Sequence, residues 1–381
     1  MAKHGHHEPT ERARTWAQTM HGHSAGDVVT AHADSHAAIA SDRPVLRKER
    51  EEREEVTLAP GATRAYGAGN RARPEEPDAE RTCFERDRDR IVHSSSFRRL
   101  AGKTQVVVYP TDHQRTRLTH ALEVAQVATA VARGIGANAT LAEAIALGHD
   151  CGHGPGGHAS EDAFDPYITG GYEHGPWGSD VVLAHLNLCD ETLDGIRNHS
   201  WSRPAPQTPE GEVVSWADRI AYCAHDLEDA CRAGIVDLAD LPAEIADMCG
   251  RSRSQQLSTF IKAMITTTVE TGTIGMDADT ATALAGLRRF NYERIYTRPD
   301  SVAQSNAVID ILRGLVDHYV AEPTRLPGVD GAMAEQAGDA GLARAAVTYV
   351  GGMTDRFAFE TAVNLLGWDL DRIPRGIGRG V

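Results

Sequence analysis

Residues 117–158, RLTHALEVAQVATAVARGIGANATLAEAIALGHDCGHGPGGH, decide how this chain is read. Leu118, Leu122, Ala125, Val127 and Val131 recur at roughly helical spacing, so residues 117–133 are expected to form a helix with Gly134 as its stop. ATLAEAIALGHD, residues 139–150, carries Leu141, Ala144, Ile145 and Leu147 in a second helical pattern. It ends on the adjacent His149 and Asp150, before the breaker run CGHGPGGH. A His-Asp pair where a helix gives way to a glycine-rich loop can turn both side chains into one cavity. Further along, EVVSWADRIAYCAHDLEDACRAG at 212–234 predicts a helix of about six turns. Period-two alternation is scarce, with VVVY at 106–109 the best strand candidate. Amphipathic segments continue in QQLSTFIKAMITTTVE, SNAVIDILRGLVDHYV and ARAAVTYVGGMTDRFAFETAVNLLGW. The expected fold class is all-α, with at most short strands.

Three regions are expected. Residues 1–77 are rich in Ala, His, Gly, Glu and Arg, contain the charge run RKEREEREE, and read as a flexible arm with one transient helix. His4, His6, His7, His21, His23, His32 and His36 fall there, which raises metal scavenging against the plainer reading of a solvated tail. Residues 78–240 form the expected core with a metal site, and residues 241–381 further helices packed on it. At 41% hydrophobic the chain can bury a sizeable core, so a globular enzyme is the default class. A net charge of −15 argues against a protein that coats nucleic acid through its whole surface. Six scattered cysteines without a CxxC pair indicate neither a disulfide framework nor a zinc knuckle. No apolar run reaches the ~20 residues of a membrane span and no secretory signal core is present, so the expected location is the cytoplasm, with no membrane partner.

His149 and Asp150 gain weight from His120 in RLTH and Asp218 in WADRIAY, on neighbouring predicted helices. Four N and O ligands from three helices suit a divalent ion, manganese or magnesium first, with iron, cobalt and zinc as further options, and leave room for water and phosphate. Around Asp218, the residues Asp218, Tyr222, His225 and Asp229 share one helical stripe, expected to be solvent face or active-site wall. In the run HDCGHGPGGHASED, His158 and Glu161 are one helical turn apart and can pair as a general-base dyad, the plainer alternative being a capping role for Glu161. His153 and His174 are further titratable groups beside glycines, His174 a candidate proton donor to a leaving group. Arg117, one turn before His120, and Arg219, next to Asp218, can meet an anionic substrate. Arg86, Arg88, Arg90, Arg98, Arg99 and Lys103 add positive charge, although interleaved acids make a salt-bridged helix the commoner explanation. No GxxxxGK[ST] loop occurs, which excludes P-loop phosphate binding.

From about residue 80 to the C-terminus the ordered motifs ERDRDRIVHSSSFRRLAGKTQV, RTRLTHALEVAQVA, LGHDCGHGPGGHASE, WADRIAYCAHDLEDA, FNYERIY and YVGGMTDRFA resemble the deoxyguanosine triphosphate triphosphohydrolases and related HD-domain deoxynucleotide triphosphohydrolases. The resemblance implies an all-helical HD fold with additional C-terminal helices. It also implies cleavage of a deoxynucleoside triphosphate to deoxynucleoside and triphosphate, with a homo-oligomer, a tetramer or hexamer. On that pattern His120, His149, Asp150 and Asp218 match metal ligands, and His158 with Glu161 the catalytic pair. His153 and His174 match histidines at the phosphates or the sugar oxygen. Arg117, Arg219, Tyr222 and Asp226 match the substrate cavity, with Tyr222 near the sugar, and Gln105 resembles the reader of the 3′-hydroxyl. The implied reaction is water attack on the α-phosphorus, assisted by His158 and Glu161. The chain departs from the family pattern at Cys151 and Gly156, and at Gly175 and Gly178, positions expected on the substrate wall. Two alternatives are weighed: an HD phosphodiesterase acting on cyclic or hyperphosphorylated nucleotides, and a non-catalytic protein binding nucleotide or, weakly, single-stranded nucleic acid through the basic residues of 81–103.

Overall fold

The computed structural model describes residues 8–106 and 113–374. Among these it holds sixteen α-helices and one two-stranded sheet, so the fold is all-α as expected. The strand candidate lies outside the described residues except for Val106, which is in no strand.

The chain divides into two compact units, Met1–Val45 and Leu46–Val381. In the first, α1 (Glu11–Gln18) is capped by the Thr10 side chain and buries none of its residues. A hairpin follows, β1 (His23–Ala25) pairing antiparallel with β2 (Val28–Thr30). One helix was expected somewhere in residues 1–77, and two form there, α1 and the helix of the charge run; the hairpin has no period-two apolar pattern to announce it. Among the described residues the N-terminal histidines join no group able to hold a metal.

The second unit begins at Leu46, so the boundary expected near Pro77 stands about thirty residues earlier. The charge run forms α2 (Arg47–Thr57), where Arg47 pairs with the buried Glu51 at 2.7 Å. Its acids end on backbone donors: Glu51 accepts from Gly67 N at 2.9 Å and Glu54 from Ala65 N at 2.7 Å. Carboxylates satisfied by main-chain N–H groups can be buried where unpaired ones cannot, which is why so charged a segment docks.

The main core gathers α3 (Cys83–His93), α4 (Ser95–Arg99), α5 (Arg117–Ile135) and α6 (Ala139–Gly148). The short α7 (Ala159–Phe164) and α8 (His174–Trp177) lead to α9 (Asp190–Asn198) and the long α10 (Pro209–Arg232). Next come α11 (Ala243–Cys249), α12 (Arg253–Thr271) and α13 (Ala278–Asn291), the last continuing into a π-helical turn over Tyr292–Tyr296. A second apolar cluster joins α7 to α14 (Pro299–Ala321), α15 (Gly331–Gly351, interrupted at Gly338) and α16 (Asp355–Leu366). Thr354 caps α16, so the segment from Ala343 to Trp368 is two helices rather than one.

Helix α5 runs past Gly134 and ends where Gly136 adopts φ 75°, the left-handed cap that glycine takes without a Cβ clash. Of the stripe expected on α5, Ala125, Val127 and Val131 are buried and Leu122 is 50% exposed; Ala121, Val124 and Ala128 complete the buried face, which carries His120. Leu141 and Ile145 on α6 are fully buried. At about 1.5–3 kcal/mol each, they anchor the helix whose end presents His149 and Asp150. A Cβ on Gly148 would meet Ile196 at 2.5 Å, so its absence brings α9 close against α6. No described helix is long and apolar enough to cross a membrane.

Candidate active site

His120 sits one turn into α5, His149 caps the C-terminus of α6, Asp150 follows it, and Asp218 projects from the middle of α10. The structure brings these four together. His120 Nε2 lies 3.0 Å from Asp218 Oδ1, and His149 Nε2 lies 3.6 Å from the same oxygen and 3.4 Å from Asp150 Oδ1. His149 Nδ1 donates to Ala146 O at 2.6 Å, which directs Nε2 at the carboxylates, where it has no hydrogen-bond partner. Burial alone would lower the His149 pKa, yet Asp150 and Asp218 outweigh it and raise it to about 9. Burial works against ionised Asp150 and Asp218 too, but Arg117 and the histidines hold Asp150 well below the usual carboxylate range and His120 and His149 do the same for Asp218. A cluster of buried carboxylates and imidazoles with an orphaned ring nitrogen is the donor set a divalent cation takes.

Three overlapping groups here have ligand atoms close enough to share an ion: His120, His149 and Asp150; His149, His199 and Asp218; and Asp150, His174 and His199. His199 was not foreseen. It caps α9 as His149 caps α6, and its Nδ1 donates to the carbonyl three residues back, Ile196 O at 2.8 Å, just as His149 does to Ala146. The signal in the sequence was a second histidine at a helix end, in RNHSW.

Beside this floor stands a carboxylate held by two imidazoles. Glu161 Oε2 accepts from His158 Nδ1 and Glu161 Oε1 from His174 Nδ1, both at 2.8 Å, and the His174 backbone N–H donates to Oε1 at 2.9 Å. Burial would raise the Glu161 pKa, but the two histidines hold it far below the usual range. Glu161 is not the N-cap of α7, which is His158 without a side-chain cap bond, but it does accept the backbone N–H of His174, the first residue of α8, so the pairing and the capping readings both hold. The His158 ring is exposed and borders the cavity. His174 is engaged at both nitrogens, its Nε2 lying 3.0 Å from His199 Nε2. The buried His153 ring stacks on His174 at 3.8 Å and reaches Asp150 Oδ1 at 3.3 Å. Gly152 permits this crowding, since a Cβ there would collide with the His174 carbonyl.

All of these but His149 and Glu161 line one cavity of about 470 Å³, whose walls also include Gln105, Arg117, Arg219, Tyr222 and Asp226. Arg117 donates Nη1 to Asp150 at 2.7 Å while its buried Nε and Nη2 are unpartnered. Arg219 lies 3.3 Å over the Trp201 ring. Tyr222 Oη accepts from Arg288 Nε at 2.8 Å, and Asp226 accepts from the Tyr296 hydroxyl. Burial raises the Asp226 pKa to about 7 despite that bond. Gln105 Oε1 is buried without a partner. Trp201, Arg288 and Tyr296 were assigned no role from the sequence, although Tyr296 closes the motif FNYERIY.

The polar stripe on α10 divides. Asp218 and Tyr222 face the cavity, but Asp229 accepts from Arg115 and His225 faces Glu123 at 3.1 Å, inside a buried ion network rather than on a wall. The basic segment is largely salt-bridged: Arg86 and Arg90 reach Glu75, and Arg88 reaches Asp89 and Glu143. Lys103 is buried and donates to His153 O and Gly351 O. Of the four departures, Gly156 alone borders the cavity, where a Cβ would meet Val308 at 2.5 Å. Cys151 is buried behind it, Gly175 packs on the Arg197 carbonyl and Gly178 on the Gly152 backbone.

Residues 117–223 match the HD domain family and residues 274–363 the phosphohydrolase-associated domain. The chain is 38% identical over 320 residues to a deoxyguanosinetriphosphate triphosphohydrolase-like protein of Caldanaerobacter subterraneus subsp. tengcongensis, spanning 82% of this chain and 93% of that one. A protein of the same description from Clostridium tetani is 36% identical over 336 residues, 84% of this chain and 95% of its own. Among solved structures, a phosphohydrolase from Bacteroides thetaiotaomicron aligns with a TM-score of 0.45 at 17% identity, over 72% of this chain and 67% of that one.

Proposed function

This chain belongs to the deoxyguanosinetriphosphate triphosphohydrolase-like family of HD-domain proteins, and from that premise we propose that it hydrolyses a deoxynucleoside triphosphate to the deoxynucleoside and inorganic triphosphate. The observation that carries the reading is the meeting of a His-Asp donor cluster, a His–Glu dyad and a polar-walled cavity at one place. His120, His149, Asp150 and Asp218 would hold a divalent ion, with manganese or magnesium the first expectation. When bound, such an ion supplies Lewis acidity, lowering the pKa of water and neutralising charge on phosphoryl oxygens.

The chain's own groups do the rest. His158 Nδ1 is tied to Glu161, so its Nε2 is free to take the proton of the attacking water, and Glu161 stabilises the imidazolium that forms. The bond formed is between water oxygen and the α-phosphorus, and the bond broken is from that phosphorus to the sugar 5′-oxygen. His174 gives the Nε2 proton that it shares with His199 to the 5′-oxygen, so the proton gained by His158 from water balances the one lost by His174. Arg117 offers its unpartnered Nε and Nη2 to the triphosphate. His153 and Arg219 meet the phosphates, Tyr222 packs on the sugar, Asp226 belongs to the substrate wall, and Gln105 reads the 3′-hydroxyl.

Phosphorus NMR of products from each deoxynucleotide, alone and mixed, with manganese or magnesium, tests this. Triphosphate is the expected product; pyrophosphate or single phosphate would overturn the cleavage position. Asp218→Ala is expected to lose turnover, and unchanged hydrolysis in that variant removes Asp218 from the site.

A further inference from the structure

His153, His158, Glu161 and His174 form a further set of donors beside the first cluster, each offering one ligand atom and all four atoms lying within 4.8 Å of one another. Two contacts are already close to ligand spacing. His158 Nδ1 and His174 Nδ1 each stand 2.8 Å from an oxygen of Glu161, and the His174 backbone N–H donates to the same carboxylate. The His153 ring stacks on His174 at 3.8 Å and meets His158 edge-on at 4.9 Å. Its Nε2 faces Asp150 Oδ1 at 3.3 Å, while its buried Nδ1 has no hydrogen-bond partner among the described residues. Two ligands on a tetrahedral zinc ion, each about 2.0–2.1 Å from the metal, are about 3.3 Å apart. The set therefore opens by about half an ångström around Glu161 and closes by up to about 1.5 Å elsewhere. His158 supplies most of that movement, since its side chain is 74% exposed.

We propose that these four residues form a second metal site, selective for zinc, whose occupation switches the dyad off. Three imidazoles with one carboxylate suit zinc, whereas magnesium and manganese prefer oxygen. The first cluster, with Asp150 and Asp218 among its four donors, is the richer in oxygen, so manganese there does not depend on Glu161. Asp150 would also orient the new site, since it faces the far nitrogen of His153 as a carboxylate behind a ligating imidazole does. Entry is separate. His158, Glu161 and His174 border a hollow of about 430 Å³ that none of His120, His149, Asp150 and Asp218 lines, and there Arg203 is neutralised by Glu173 at 3.0 Å. Zinc on His158 Nδ1 takes the place of the proton that Glu161 otherwise receives, and that proton moves to Nε2 of the same ring. Nε2 is the atom that must be bare to accept a proton from water, so the base is blocked without loss of the first ion. This effect on turnover rests on the dyad assigned above; the binding of zinc does not.

Zinc chloride added to the manganese-loaded full chain tests the site, with both metals counted by plasma mass spectrometry after gel filtration. Wild type is expected to retain one zinc per chain more than His158→Ala or Glu161→Gln, with its manganese still bound. The N-terminal histidines contribute equally to all three proteins and cancel. His158 is exposed and Glu161→Gln keeps the side chain's shape, so both variants are expected to fold. In crystals soaked with zinc, anomalous scattering at the zinc edge is expected to place the ion between Glu161 and the three imidazoles. Deoxynucleotide turnover in manganese is expected to fall at least tenfold as that one equivalent of zinc is taken up. Equal zinc content in wild type and both variants, manganese released one for one as zinc binds, or turnover raised by zinc would each overturn the proposal. Absence of any turnover in manganese alone would refute the hydrolase reading instead, and the zinc counts and the anomalous signal would still decide this one.

Discussion

Replacing Asp355 by Ala separates a structural cause from its catalytic consequence. The buried carboxylate accepts from Thr104 N, from the Thr104 hydroxyl and from Gly156 N, and so ties α16 to the loops on either side of the cavity mouth. Truncation leaves the Thr104 amide buried without a partner and the half-buried Gly156 amide dependent on water. At about 1–3 kcal/mol per orphaned group, the two amides total about 2–6 kcal/mol. Melting entropy of about 2.1 cal/mol/K per residue across the unit Leu46–Val381 amounts to about 0.7 kcal/mol per degree, which converts the loss to a melting temperature lower by about 3–9 °C. Gln105 follows Thr104 directly, and Gly156 precedes His158 by two residues, so kcat/KM is expected to fall by about 10–100-fold through misplaced wall and base. Differential scanning calorimetry and steady-state kinetics read the two effects, with Arg356→Ala, the exposed neighbour, as control. A variant that melts with wild type, or that melts early but turns over at the wild-type rate, would refute the tethering role.

Glu161→Gln keeps the side chain's shape but removes the charge that faces His158 and His174, and turnover is expected to fall by about 10²–10⁴ while metal content by plasma mass spectrometry stays at the wild-type level. Asp226 has its pKa raised from 3.8 to about 7 by burial, so between these values the folded chain holds a proton the unfolded chain has released. Its contribution to stability is therefore fullest below 3.8 and lost as pH rises to about 7, by up to about 4 kcal/mol at about 1.4 kcal/mol per pH unit. Asp226→Asn removes that slope, so its melting temperature should gain on wild type between pH 5 and pH 8, and parallel curves would refute the shift.

What was legible in the sequence was local. His149 and Asp150 are neighbours at a helix end, and His158 with Glu161 are one turn apart, so the backbone itself delivers each pair. His120 and Asp218 became candidates through their places on predicted helices, and α5 and α10 do cover those residues. The stripe on α10 misled because that helix is buried on more than one side. Polar residues on a single stripe then meet two environments along its length, the cavity at Asp218 and Tyr222 and the ion network at His225 and Asp229. The charge run at 47–55 misled for a related reason. Composition registers the charges but not the main-chain donors that receive them, and those donors, Ala65 N and Gly67 N, carry no sequence signature.

The illegible part of the site is supplied by tertiary approach. His199 reaches the floor because glycine at 148 lets α9 close on α6, a contact between residues 48 positions apart. Asp355 lies 251 residues from the Thr104 it holds. They act at different parts of one cavity, Gly148 at the floor and Asp355 at Thr104 and Gly156, and they act by opposite means. The glycine works by leaving room, so that two helices each ending on a histidine can present both rings to one cluster; the aspartate works by filling a buried position with acceptors. Enlarging the glycine should therefore push His199 away and leave the cavity mouth intact, whereas truncating the aspartate should loosen the mouth and leave the floor intact. Floor and mouth are separately built, which is why the candidate ligands, read from three separate helices, said nothing of His199 or Asp355.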